Sequence, residues 1–145
     1  MERVDYLDTF IAVSDDCAAG EGTPPSVNPD RPSVVARTYQ MIVKRPYSLT
    51  SGDVIFTVFA DRHEIPMPER PAARIEFFSK GQPCLRSSDL AKRYGWGIHC
   101  DARGRVALLG VDTPEYQDFV SGNRQSASGL PVTVTKAMRR SRITR

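Results

Sequence analysis

Residues 92–111, KRYGWGIHCDARGRVALLGV, hold the only Trp, one of the two His and one of the three Cys in the chain. They also carry its clearest hairpin signal. Two extended runs, 96–100 and 105–111, flank Asp101-Ala102-Arg103-Gly104, a four-residue connection whose terminal Gly suits the left-handed conformation of a hairpin turn. With Cys100 opposite Arg105, Ile98 faces Ala107 and Trp96 faces Leu109. The side-chain period of two then puts Trp96, Ile98, Cys100, Ala107 and Leu109 on one, helix-packing face. The other face carries Gly95, Gly97, His99, Val106, Leu108 and Gly110. Glycine in a strand marks close approach by a backbone or a ligand, so this face is either a hollow edged by His99 or the seat of another element. A slip of one residue reverses every assignment.

Around the hairpin the chain reads as helices grouped together and strands grouped elsewhere. Ser33 caps a helix with Val34, Val35, Tyr39, Ile42 and Val43 at helical spacing, and Pro46 ends it. Thr50 and Asp53 form a capping box with Leu49 and Val54 as hydrophobic staple, opening a helix to about His63. Pro66, Pro68 and Pro71 introduce a third helix whose face is Ala72, Ile75 and Phe78, with Gly81 beyond its end. Shorter helical turns are expected after Ser87-Ser88-Asp89 and after Thr113-Pro114-Glu115. Residues 9–14 (TFIAVS) suit a strand covered on both faces. Residues 15–32 form a long Pro-rich connection, either a lid or disordered, and residues 132–135 are strand-like without an evident partner. The expectation is an α+β domain over residues 1–120, a small antiparallel sheet built on the 96–111 hairpin with three helices on one face. Residues 121–145 read as a polar linker and basic tail.

Composition bounds the function. The 145 residues are enough to bury an ordinary core, and 40% hydrophobic with 26% charged content is that of a soluble globular protein. No apolar run reaches membrane-spanning length and the N-terminus lacks a signal-peptide pattern. The three cysteines, odd in number and widely spaced, argue for reduced thiols and a cytoplasmic setting. The net charge of +3 is unevenly spread. Residues 1–30 carry one basic and seven acidic side chains, whereas residues 81–145 carry eleven basic and five acidic. A basic half of this kind suits an anionic ligand or nucleic acid, or is a solvated tail lying near the acidic N-terminus.

The signatures of phosphate loops, dinucleotide folds, zinc proteases, serine hydrolases and C-x-x-C sites are absent. No metal site is expected, because no pair among Cys17, His63, Cys84, His99 and Cys100 has ligand spacing, and no cofactor is implied. Three functions remain. A binding module for an anionic ligand, a nucleic acid or a small phosphorylated molecule would use Arg86, Lys92, Arg93, Tyr94, Trp96, His99 and Arg105, cations interleaved with aromatics. An enzyme would use His99 with Cys84 or the Tyr94 hydroxyl in acid–base or thiol chemistry. A protein-interaction role would use the 15–32 connection and the basic tail. Partners and oligomeric state stay open.

Arg93-Tyr94-Gly95-Trp96-Gly97-Ile98-His99 followed by Gly104-Arg105-Val106-Ala107-Leu108 resembles the signature of a small uncharacterised bacterial family, a domain of unknown function. Residues 9–13, 47–54, 77–84 and 136–139 are similar to its other blocks. The resemblance implies no activity and transfers no residue roles.

Overall fold

The computed structural model describes residues 1–127 and 129–140. Its frame is a four-stranded sheet in the order β3-β2-β1-β4, with β1 Thr9–Ala12, β2 Trp96–Cys100, β3 Val106–Gly110 and β4 Thr133–Lys136. Five α-helices surround it: α1 Val34–Lys44, α2 Ser51–Arg62, α3 Arg70–Phe78, α4 Asp89–Lys92 and α5 Pro114–Val120. The class is α+β, as the grouping of elements suggests. The sheet, however, is mixed rather than antiparallel. β1 runs antiparallel to β2 but parallel to β4, pairing Phe10 with Val134 and Ala12 with Lys136. The strand-like residues after Pro131 thus enter the sheet, and the next residue, Ala137, is part of the core. The last five residues of the expected basic tail, 141–145, lie outside the described residues.

Local chemistry accounts for the helix starts. The Ser33 side chain accepts from the Ala36 amide, and Thr50 and Asp53 make both bonds of the capping box, 3.0 and 2.9 Å. Thr113 caps α5 ahead of its N1 proline, and Ser88 caps α4. The third helix forms where its prolines place it but turns a different face inward. Ile75 is 77% exposed, and Phe77 packs instead on Phe56 and Phe59, with ring centroids 5.7 and 4.5 Å apart. Arg74 fixes that rotation. It pairs with Glu2 at 2.6 Å and Asp53 at 2.9 Å, and its guanidinium lies over the Phe56 and Phe78 rings.

The expected hairpin register is off by one residue in its second strand. Cys100 pairs with Val106, Ile98 with Leu108 and Trp96 with Gly110. The connection has three residues, not four. Asp101 donates to the Arg105 carbonyl and its own carbonyl accepts from Gly104, which sits at φ 79°. This is a type I turn closed by a left-handed glycine bulge. The Asp101 carboxylate fastens it by accepting from the Arg103 and Arg105 amides, both at 2.9 Å. Trp96, Ile98 and Cys100 keep their expected face, but Val106 and Leu108 join them there, and Ala107 and Leu109 pass to the other side. One face packs Ile11, Ile98, Cys100 and Val106 against α1, α2 and α4. The other packs Phe10 and Ala12 against Tyr116 and Phe119 of α5, so helices cover both faces.

The glycine side of the hairpin is therefore filled. A Cβ on Gly97 would stand 2.5 Å from Phe10 Cζ and 2.8 Å from the Tyr116 ring. Gly95 and Gly110 lie under the long connection after β1, which is packed against the open end of the hairpin at residues 21–23. There Thr23 donates to the Tyr94 carbonyl and accepts from the Trp96 indole, and Gly22 donates to Asp112.

Gly97→Ala is expected to lower unfolding free energy by about 1–3 kcal/mol, because neither ring can withdraw from a packed core. Gly20→Ala, where a Cβ meets nothing within 4 Å, should stay within about 0.5 kcal/mol of the parent. Urea unfolding of both variants checks the contrast.

Candidate functional site

The corrected register sends His99 toward α5. Phe10 is its cross-strand partner in β1, and Phe119 of α5 stacks on Phe10 at 4.7 Å while its centroid lies 4.4 Å from the imidazole. The second component arrives from the opposite layer. After α1 the chain passes along the outer edge of β3, with Tyr47 donating to the Val106 carbonyl and Val106 donating to that of Leu49, each 2.9 Å. Tyr47 adopts φ 57°, a left-handed conformation that a bulky side chain takes only at a cost of about 1–3 kcal/mol. The result is a phenol turned under the sheet edge, with its hydroxyl 2.8 Å from His99 Nδ1. The residue facing His99 from β3 is the small Ala107.

Electrostatics settle the protonation states of the pair. Burial holds the His99 imidazole below its ordinary value, and the positive charge of Arg124 pushes the same way, against the weaker pull of Asp101 and Asp8. Burial raises the Tyr47 phenol, with Arg124 opposing. At neutral pH both groups are uncharged. The Tyr47 hydroxyl and Nδ1 share one hydrogen bond, in which the tautomer of the ring decides which of the two donates. Arg124 completes the cluster, its guanidinium 4.7 Å over the Phe119 ring. Among the described residues it has no carboxylate partner.

The remaining residues named from the sequence are dispersed. Arg105 pairs with Asp101 at 3.1 Å beside the hairpin turn, while Lys92, Arg93, Tyr94 and Trp96 lie at or before the opposite end of β2, roughly 15 Å away at strand spacing. Arg93 pairs with Asp89 at 3.3 Å, and Trp96 packs on Tyr39. Arg86 donates to the Lys136 carbonyl at 2.8 Å, bracing the end of β4. Cys84 contacts the Tyr6 hydroxyl at 3.2 Å in the layer under the opposite face from His99. His63 caps α2, with its ring against Phe59. Cys100 is fully buried and its thiol is pushed up to about 12, which leaves no thiolate at neutral pH. No three His, Cys, Asp or Glu side chains gather as a metal centre among the described residues. Among the described residues no helix is long and apolar enough to cross a membrane.

Tyr47 and Arg124 escape a sequence reading. Tyr47 is 52 residues from His99, and Arg124 stands in a Ser/Gly-rich stretch that resembles a linker. The only local hint is the crowding of a Pro46 stop and a Thr50 cap, which leaves three residues to turn the chain.

What the fold and cluster define is a small α+β protein with a hydrogen-bonded Tyr–His pair and, at the same sheet face, a guanidinium with no carboxylate partner among the described residues. The chain belongs to the family described as "Family of unknown function (DUF6157)", whose model matches residues 1–143. No curated protein and no solved structure gives a significant match.

Because the folded pKa of His99 lies below the unfolded value of 6.5, its contribution to stability is complete above about pH 6.5. It is lost as pH falls through the folded pKa. Thermal unfolding should show the parent losing stability relative to His99→Gln on going from about pH 7.5 to pH 5. Parallel curves would contradict the assignment.

Proposed function

We propose that this chain is a binding module for a small anionic ligand, a carboxylate or phosphate ester, held at His99 and Arg124. The observation that carries this reading is the Tyr47–His99 bond. A strained tyrosine orients the imidazole through Nδ1, which with the phenol as donor leaves Nε2–H for a ligand, and a guanidinium with no carboxylate partner among the described residues stands over the neighbouring Phe119 ring. Two donors fixed on a packed aromatic base are what recognition of an oxyanion needs. Backbone strain concentrates at functional sites, and Tyr47 would be a costly choice for a turn alone.

A small ligand is favoured over nucleic acid by how the cations are distributed. Arg93, Arg105 and Lys136 are each paired with an aspartate, so these three cations are not free to follow a phosphate backbone. The same Tyr–His bond supports a second reading, acid–base chemistry on the bound anion, with Tyr47 supplying the hydroxyl expected of Tyr94. The setting we propose is a bacterial cytoplasm, a reading supported by the free state of Cys17, Cys84 and Cys100.

NMR titration with inorganic phosphate and with a nucleoside monophosphate tests the proposal. Saturable shifts of the His99 ring are expected, weakening as salt is added and by about tenfold in Arg124→Gln. Loss of binding in a Lys92→Ala/Arg93→Ala variant, with Arg124→Gln unaffected, would move the site to the start of β2. No saturable response to either probe would sink the reading.

A further inference from the structure

The sheet face opposite His99 leads to a cavity of about 450 Å³ bounded by α1, α2, α3 and residues 82–89. Its volume falls in the range of small-molecule sites, and its wall is mainly apolar, with Val35, Ile55, Val58, Phe59, Phe77 and Leu85 among the lining residues. The wall on the α3 side is a helix without a buried residue. Arg70 and Arg74 hold it through Asp61, Asp53 and Glu2. Phe77 is thus presented to the cavity by ion pairs around it rather than by a sealed core.

The charges lining the cavity differ in what satisfies them. Asp89 is paired with Arg93. Arg62, in the last turn of α2, has no carboxylate partner among the described residues, and its Nη1 donates to the Pro32 carbonyl at 3.1 Å. That bond draws the guanidinium toward Pro32, which lines a second depression, so that Arg62 forms the ridge between the two. Its immediate neighbour Asp61 is already held by Arg37 at 3.2 Å and Arg70 at 3.0 Å. In that second depression Asp30, Asp61 and Glu64 are balanced by Arg31 and Arg37 together with Arg62 itself.

We infer that this cavity binds a small amphipathic carboxylic acid, its apolar body lying on Ile55, Phe59 and Phe77 and its carboxylate meeting Arg62. The site is separate from the His99 cluster, because the two lie on opposite sides of the sheet. An apolar wall offers affinity that grows with ligand length, and one cation with open valences selects the head group. A neutral ligand of equal length would leave Arg62 as it is and gain nothing from it.

Half-buried Cys84, its thiol against the Tyr6 hydroxyl, is among the residues lining this cavity and serves as a reporter, whereas Cys17, also half-buried, does not line it. In the full chain, alkylation of both cysteines is followed by peptide mass spectrometry in the presence of hexanoate, octanoate, decanoate and decanol. Decanoate is expected to slow alkylation of Cys84 and leave Cys17 unchanged. Affinity should rise about fourfold for each added methylene, and decanoate should bind about threefold tighter than decanol. Arg62→Gln should abolish the preference for the carboxylate and keep the dependence on chain length. Arg124→Gln should protect Cys84 as the parent does, which separates this site from the one at His99. No protection of Cys84, affinity independent of chain length, or equal binding of decanoate and decanol by the parent would each overturn the inference.

Discussion

The three-residue turn Ala102–Gly104 is the constraint on which both faces of the molecule depend. A strand has two sides and a period of two, so the length of a hairpin connection decides which side chains enter which layer. Here the decision is made by the Asp101 carboxylate, which accepts two amides of the turn, and by Gly104, which closes the bulge in a conformation other residues resist. With the register set, Val106 enters the layer under α1 and α2, and Ala107 is left opposite His99. A larger residue there would crowd the face that Tyr47 must reach.

What was legible in the sequence is what local interactions decide. Helix caps are written within four residues of each other, so Ser33, Thr50 with Asp53, Ser88 and Thr113 mark helix starts that the structure contains. The inward side of β2 was legible for the same reason, because a two-residue period needs no partner to be read. Non-local pairing was not legible. Nothing in residues 133–136 says that they run parallel to β1, and their amide and carbonyl groups find that partner across more than a hundred residues of chain. The rotation of α3 was hidden in the same way, since it is governed by Glu2 and Asp53, which no helical period can register.

The candidate site follows this division. His99 could be singled out because it is rare and sits in a glycine-rich strand. Its neighbours could not, because each is delivered by a different constraint. Tyr47 comes from a chain reversal squeezed between a helix stop and a helix start. Arg124 comes from a segment whose composition suggests only flexibility. The strain at Tyr47 is tolerated because the backbone on both sides is bonded to Val106, so the turn is held from outside itself. A residue held in a costly conformation by its surroundings, with its polar atom on a titratable ring, needs a reason beyond connectivity.

The charge gradient along the chain has a structural use of its own. The acidic segment after β1 and the basic residues around β4 are brought side by side by the parallel pairing. There Lys136 and Arg139 reach Asp15 at 2.7 and 3.9 Å, and the Arg140 amide donates to Asp16. Much of the opposite charge at the two ends therefore serves to close the sheet edge, and only cations outside these pairs are free for a ligand. Arg124 and Arg62 are two such cations, and they sit on opposite sides of a sheet in which β2, one of the two central strands, contributes His99 to one side and Ile98 and Cys100 to the other. Ile98 and Cys100 are fully buried. A ligand on one side can therefore influence the other only by displacing β2 within a packed core, a motion that close packing opposes. Two binding events on these faces should be thermodynamically near-independent unless β2 has a second stable position.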